Sequence, residues 1–157
     1  MFLRNASIFL LVLFLLILVG GKIYAIKGHH VDSLPEGYSF GLNKGRLAPC
    51  RDKPNCVCTD HENGHYMKPF PLSGDSIDVF SQVYQVLEGC QLVESRDKYQ
   101  RFECRTSFFG FIDDVELFHD TDHDLLRFRS AARLGYSDLG VNRKRMESLQ
   151  RWLEDRP

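Results

Sequence analysis

Residues 108–145 read FFGFIDDVELFHDTDHDLLRFRSAARLGYSDLGVNRKR: three acids at 113–116, an acidic stretch at 119–124, then three arginines, then an aspartate ahead of an Arg-Lys-Arg cluster. Over residues 112–118 and 125–133 apolar and polar residues alternate with a period of two, as in half-buried strands. The acidic stretch 119–124 joins them, so the pair reads as a hairpin, and a helix follows. This arrangement gathers Asp113, Asp114, Glu116, Arg127, Arg129, Arg133, Asp138, Asn142, Arg143 and Arg145 into a small part of one domain. They are the candidate ligand-binding residues, with a structural ion network as the competing reading.

The hairpin register can be argued from side-chain preferences. Pairing Phe118 with Leu125 sets Leu117 against Leu126, Val115 against Phe128, Glu116 against Arg127 and Asp114 against Arg129, satisfying apolar and ionic preferences together. Asp113 then faces Ser130 on the apolar side, where a carboxylate needs a donor. Arg133, Asn142 and Arg143 are left with fewer assigned partners and are the expected ligand contacts. The Asp120-x-Asp122-x-Asp124 spacing lacks the Gly and Glu of a calcium loop, so it reads as a solvated hairpin tip.

Upstream, Ile77, Phe80, Tyr84 and Leu87 fall at helical spacing over residues 75–88, with Ser73 or Asp75 as cap and Gly89 as terminator. A first hairpin follows, with strands 92–95 and 99–108 about an Arg96-Asp97-Lys98 turn. It sets Leu92 opposite Phe102 and Cys90 opposite Cys104, with Arg101, Glu103 and Arg105 on a wet face. Downstream, Ser137 or Asp138 can cap a last helix to Glu154 whose inner face carries Met146, Leu149, Trp152 and Leu153. The cations in its first turns oppose the helix dipole and call for acids or a bound anion. The expected class is α+β: an antiparallel sheet of about four strands flanked by two helices, preceded by one transmembrane helix.

That helix is expected from residues 6–21, ASIFLLVLFLLILVGG, which carry no charge and extend through Tyr24 to Ile26 to roughly 30 Å, a bilayer's apolar thickness. An uncleaved anchor is preferred to a signal peptide because no small-x-small cleavage site follows. Residues 1–27 are read as the anchor, 28–46 as a flexible tether containing His29 and His30, and 47–157 as one domain, large enough to bury its own core. The domain is expected outside the cytoplasm, in the periplasm or an equivalent compartment. Without Arg4, Lys22 and Lys27 the chain has 17 bases against 21 acids, a balance unlike a nucleic-acid binder's.

Five cysteines suit export. Cys50 and Cys56 flank a Pro54-Asn55 turn, so Cys50 is expected to be oxidised to Cys56 or Cys58. Cys90 and Cys104 are read as small buried hydrophobes in preference to a disulfide. Cys50, Cys56, Cys58, His61 and His65 could hold zinc or copper, but their spacing fits no standard frame, so no metal and no cofactor are expected.

Pro54-Asn55-Cys56-Val57, the run from Phe111 to Glu116, Arg129-Ser130 with Arg133, and Gly135 through Ser137-Asp138 to Gly140-Val141-Asn142-Arg143 and Arg145 resemble the motifs of the family known as domain of unknown function 1499. The resemblance covers residues 47–153. It implies relatives in bacteria and photosynthetic plastids, often with a membrane or export segment, and no agreed activity. Ala132 stands where the family usually has a second serine, and Cys58 where serine is common. The favoured reading is a non-catalytic envelope accessory or binding protein for an anionic small molecule or another envelope protein. The rivals are a hydrolase using Asp113 or Asp114 with Arg129 and Arg143, and metal or redox handling through Cys50, Cys56 and Cys58. A nucleophile elbow, metal-binding helix and phosphate loop are all missing from the sequence.

Overall fold

The structure, a computed structural model, describes residues 2–26, 34–61, 64–72 and 76–156. Helix α1 (Phe2–Ile26) is followed by a small two-stranded ribbon, β1 (Leu42–Asn43) and β2 (Arg46–Leu47). The main sheet is antiparallel throughout. It comprises β3 (Cys56–Cys58), β4 (Phe70–Pro71), β5 (Cys90–Arg96), β6 (Tyr99–Arg105), β7 (Ile112–Asp120) and β8 (Leu125–Ala132). Its order is β3-β8-β7-β6-β5, with β4 also pairing β8, so it has six strands against the four expected. The added β3 and β4 span three and two residues, too short to show a hydrophobic period.

Helix α2 (Ser76–Gln82) passes into a 3-10 turn, Val83–Gln85, before Gly89, and α3 (Val141–Glu154) closes the chain. Both pack on one face of the sheet. Val79, Val83 and Leu87 with Met146, Leu149 and Leu153 meet Val57, Phe102, Cys104, Val115, Leu117, Leu126 and Phe128 in one core. The tightened turn re-aims the upstream helix: Val83 is buried where Tyr84 was expected, and Tyr84 is 62% exposed. The caps expected at Ser73 and Asp75, and the His29-His30 pair, lie outside the described residues.

In the second hairpin the register differs from expectation by two residues. The loop has four residues rather than six, Asp120 pairs with Leu125, and Glu116 faces Arg129, Val115 faces Ser130 and Asp114 faces Ala131. A two-residue shift leaves every side chain on its own face, so the apolar agreement that favoured the shorter pairing is kept by the longer one. The extra pairs are stabilised by Asp120, whose carboxylate accepts from Arg127 and from His123. The first hairpin pairs Leu92 with Phe102 and Cys90 with Cys104 as expected, but Arg96 pairs with Tyr99, so the turn is Asp97-Lys98 rather than three residues, and an irregularity between Leu92 and Glu94 absorbs the difference.

Order reaches further toward the N-terminus than Leu47. Tyr38 is buried, with Phe40 half-buried, against Cys56 and Ala131 on the sheet face opposite the helices. The face expected to be wet is therefore roofed. Strand β6 also ends at Arg105, earlier than expected, because Thr106 folds the next residues into a tight loop. Its backbone and hydroxyl bond Phe111, and its carbonyl accepts from Gly110.

Candidate functional site

Alternation places Tyr99, Arg101 and Glu103 of β6, Asp114 and Glu116 of β7, and Arg129 of β8 on the roofed face. Arg133, just beyond β8, joins them. Asp114 is fully buried and accepts from Arg133 Nε and Nη2 (both 2.8 Å), Arg101 Nη1 (2.9 Å) and the Tyr38 hydroxyl (2.6 Å). Burial would raise its pKa, but these donors prevail and hold the carboxyl below the usual range. Glu116 accepts from Arg129 (2.7 Å), the Tyr99 hydroxyl (2.9 Å) and the Gly41 amide, yet its burial still pushes it above the usual range. Arg133 also bonds Glu103, and the Arg101 and Arg129 guanidinium groups lie over the rings of Phe40 and Tyr38. This is a closed layer of paired charges. Its arginines face acids inside the protein, and only Arg129 Nε of the layer is buried without a hydrogen-bond partner among the described residues.

On the opposite face, at the start of α3, a second cluster joins the helix to the sheet. Arg145 donates to Asp113 (3.0 Å) and to the Asn142 side-chain oxygen (2.7 Å), which also accepts from the Ser130 hydroxyl. Asp138 caps the helix by accepting from the Gly140 and Asn142 amides and from the Asn142 side chain. Gly140 has φ +80°, a value that suits glycine and lets the chain turn into the helix directly after the cap. Buried Asn55 anchors the same corner by donating to the Gly135 carbonyl. Burial raises the Asp113 carboxyl despite Arg145. Acids thus answer the cations at this helix start, as an internal network would.

Arg133 and Asn142, expected to have few partners, are fully engaged. Arg127 bonds Asp120 and Asp60 rather than Glu116. Arg143 differs from all of these. It is half-buried, makes no side-chain hydrogen bond or ion pair among the described residues, and lines a cavity of about 370 Å³ with Asp52, Lys53, Pro54, His65 and Tyr136. A separate cavity of about 320 Å³, walled by Phe108, Phe109, Phe111, Leu134, Leu139 and Val141, lies on the other side of the 135–141 segment.

The cysteines form two disulfides, Cys50–Cys56 and Cys90–Cys104, and Cys58 is a buried thiol. The first agrees with expectation. The second corrects the reading of Cys90 and Cys104 as mere hydrophobes: direct opposition across β5 and β6 brings the sulfurs together. Among the described residues no cluster of three metal-ligating side chains is present, and the His61 and His65 rings bond the carbonyls of Leu47 and Cys56.

The residues of the hydrolase reading do not converge. Asp113 and Asp114 point to opposite faces of β7, Arg129 sits in the roofed layer, and Arg143 lines a different cavity. Tyr38, Tyr99, Arg101 and Glu103 were missed by the sequence reading. Arg101 and Glu103 alternate with core residues and looked solvated. Only the roof, supplied from more than sixty residues upstream at Tyr38, turns them inward.

The model of the family described as protein of unknown function (DUF1499) matches residues 46–153. The chain belongs to this family. Neither a curated protein nor a solved structure matches it. For this DUF1499 member the match begins within β2 and ends within α3, so the whole main sheet and the cluster at the start of α3 lie inside it, while α1 and the roof residues Tyr38, Phe40 and Gly41 lie outside.

Proposed function

We propose that this protein is a membrane-anchored accessory or binding protein of the cell envelope that takes an anionic ligand or partner at the cavity shared by Lys53 and Arg143. Arg143 carries the reading. A guanidinium stays charged and offers five donors, and here it is half out of water without an acceptor while the other candidate arginines are all engaged. Asp52 and Asp138 also line the cavity; the oxygens of Asp138 are occupied by the helix start, so two cations, Lys53 and Arg143, stand there against the one open carboxylate of Asp52.

The anchor is supported by the 21 residues Ala6–Ile26, a helix long and apolar enough to cross a bilayer. Two disulfides favour an oxidising compartment, which supports an extracytoplasmic side for the domain. A C-terminal reporter fusion tests this, and activity only in the cytoplasm overturns it. The anion site is tested by thermal unfolding of the full chain in detergent with inorganic phosphate or sulfate. At tenfold excess over Kd the wild type gains about 1.4 kcal/mol, and Arg143→Ala and Lys53→Ala gain nothing. No protection of the wild type, or equal protection of all three proteins, refutes the site.

A further inference from the structure

The cationic and the apolar cavity are neighbours. Both are lined by Asp138, and alternate residues of one segment serve each: Tyr136 and Gly140 face the first, Leu139 and Val141 the second. A ligand that filled both would be anionic at one end and apolar at the other. The rim of the apolar cavity is costly to leave in water: Phe108 is 58% exposed and Leu139 is 87% exposed. Leu139 also holds φ +56°, a conformation a leucine rarely takes, so the chain keeps this side chain outward against its backbone preference.

The position of α1 says what covers this face. The Phe109 ring packs so closely on Gly21 that a Cβ there would lie 2.5 Å from it, and Phe111 meets Tyr24 edge-on with centroids 6.1 Å apart. Gly21 lies five residues inside the end of the apolar span at Ile26, about 7.5 Å along the helix axis. That is the depth at which interfacial apolar side chains sit among headgroups and upper acyl carbons. With α1 in the bilayer as proposed above, the loop at residues 108–111 is carried at the membrane boundary, with its cavity beside it, and the hydrogen bonds from Thr106 keep it in that shape.

We propose that the ligand is an anionic phospholipid of the bilayer, its phosphate in reach of Lys53 and Arg143 and its acyl chain in the cavity behind Phe108, Phe109, Phe111 and Leu139. This rests on the anion-site reading above and names its ligand class. The full chain is reconstituted in nanodiscs with Trp152→Phe as background and a single tryptophan introduced as Leu139→Trp or, independently, Phe108→Trp. Tyr24→Trp reports the helix, and Tyr84→Trp reports a solvated position. Quenching is read with lipids brominated on the acyl chain, in anionic phosphatidylglycerol or zwitterionic phosphatidylcholine.

The expected result is quenching at positions 139 and 108 but not at 84. It is reached at about tenfold lower mole fraction of the anionic lipid, because phosphatidylcholine offers the same phosphate but brings a choline cation that Lys53 and Arg143 repel, and Arg143→Ala abolishes that preference. Quenching at 24 with none at 139 and 108 overturns the proposal; if inorganic phosphate still protects the wild type, the anion site stands without a lipid. Equal quenching by both lipids, unchanged in Arg143→Ala, overturns it too, since the face then touches the bilayer without headgroup recognition. Absence of quenching at 24 removes the anchor and the proposal together.

Discussion

Replacing Asp114 by alanine removes the acceptor at the centre of the roofed layer. The carboxylate receives three hydrogen bonds from two guanidinium groups and one from Tyr38, all within 2.9 Å and all out of water. Summing these at about 1.5–3 kcal/mol each would overstate the loss. Arg133 keeps Glu103, and Arg101 keeps Glu94 at 3.4 Å and Glu103 at 3.6 Å, so neither cation is wholly stranded. The expected cost is that of breaking a buried ion pair from one side, about 3–5 kcal/mol. Against a total of about 5–15 kcal/mol this is a large share of the folding free energy. At roughly 4 °C per kcal/mol for a domain of this size, the midpoint falls by about 12–20 °C. The assay is thermal and urea unfolding of the full chain in detergent with disulfides intact, followed by Trp152 fluorescence. Asp114→Asn tests charge at constant shape and is expected to lose a similar amount. Arg143→Ala is expected to stay within about 0.5 kcal/mol of the wild type. Were Asp114→Ala to melt with the wild type, or Arg143→Ala to lose as much as Asp114→Ala, the division into a structural layer and an open cation would be refuted.

The depressed Asp114 pKa gives acid sensitivity of known sign: its stabilisation is complete above the ordinary carboxyl value of 3.8 and is lost as pH falls through the lower folded value. Asp113 and Glu116, shifted upward, act with the opposite sign, so acid titrations of wild type and Asp114→Asn are compared, and equal slopes below about pH 4 would contradict the assignment. Mass mapping under non-reducing conditions is expected to find Cys50–Cys56, Cys90–Cys104 and a Cys58 thiol that alkylates only on unfolding; five reactive thiols would exclude this pattern. Removing Cys90–Cys104 by paired serine substitution is expected to cost about 3 kcal/mol in urea unfolding, the chain-entropy value for a loop of this length. Tyr38→Phe deletes the hydroxyl that donates to Asp114 and is expected to cost about 1.5–3 kcal/mol and to speed proteolysis near residue 38, whereas unchanged stability would mean that the roof does not hold the layer.

How far the fold could be read from the sequence depended on how local its causes are. The period of two in β6, β7 and β8 and the apolar spacing of α3 require only neighbours in the chain, and with them came the α+β class, the Asp138 cap and the face on which each residue lies. The family motifs came from the same stretch. The hairpin register was a closer contest, because pairings two residues apart satisfy the same alternation and are separated only by how many loop residues the turn needs.

The charged site could not be resolved so far. Ten candidates were adjacent in sequence, but the pleat of β7 sends Asp113 and Asp114 to opposite faces, and only the packed molecule gives each face its cover. One face meets the start of α3, where Asn142 and Arg145 satisfy Ser130 and Asp113. The other meets Tyr38 and Phe40, a segment with no period of its own, which turns apparently solvated Arg101 and Glu103 into members of a buried network. Chemistry and facing are properties of the strand and its alternation. Burial, partners and the exception of Arg143 depend on what distant chain is laid over that strand, and that is decided only when the whole core and its roof form together.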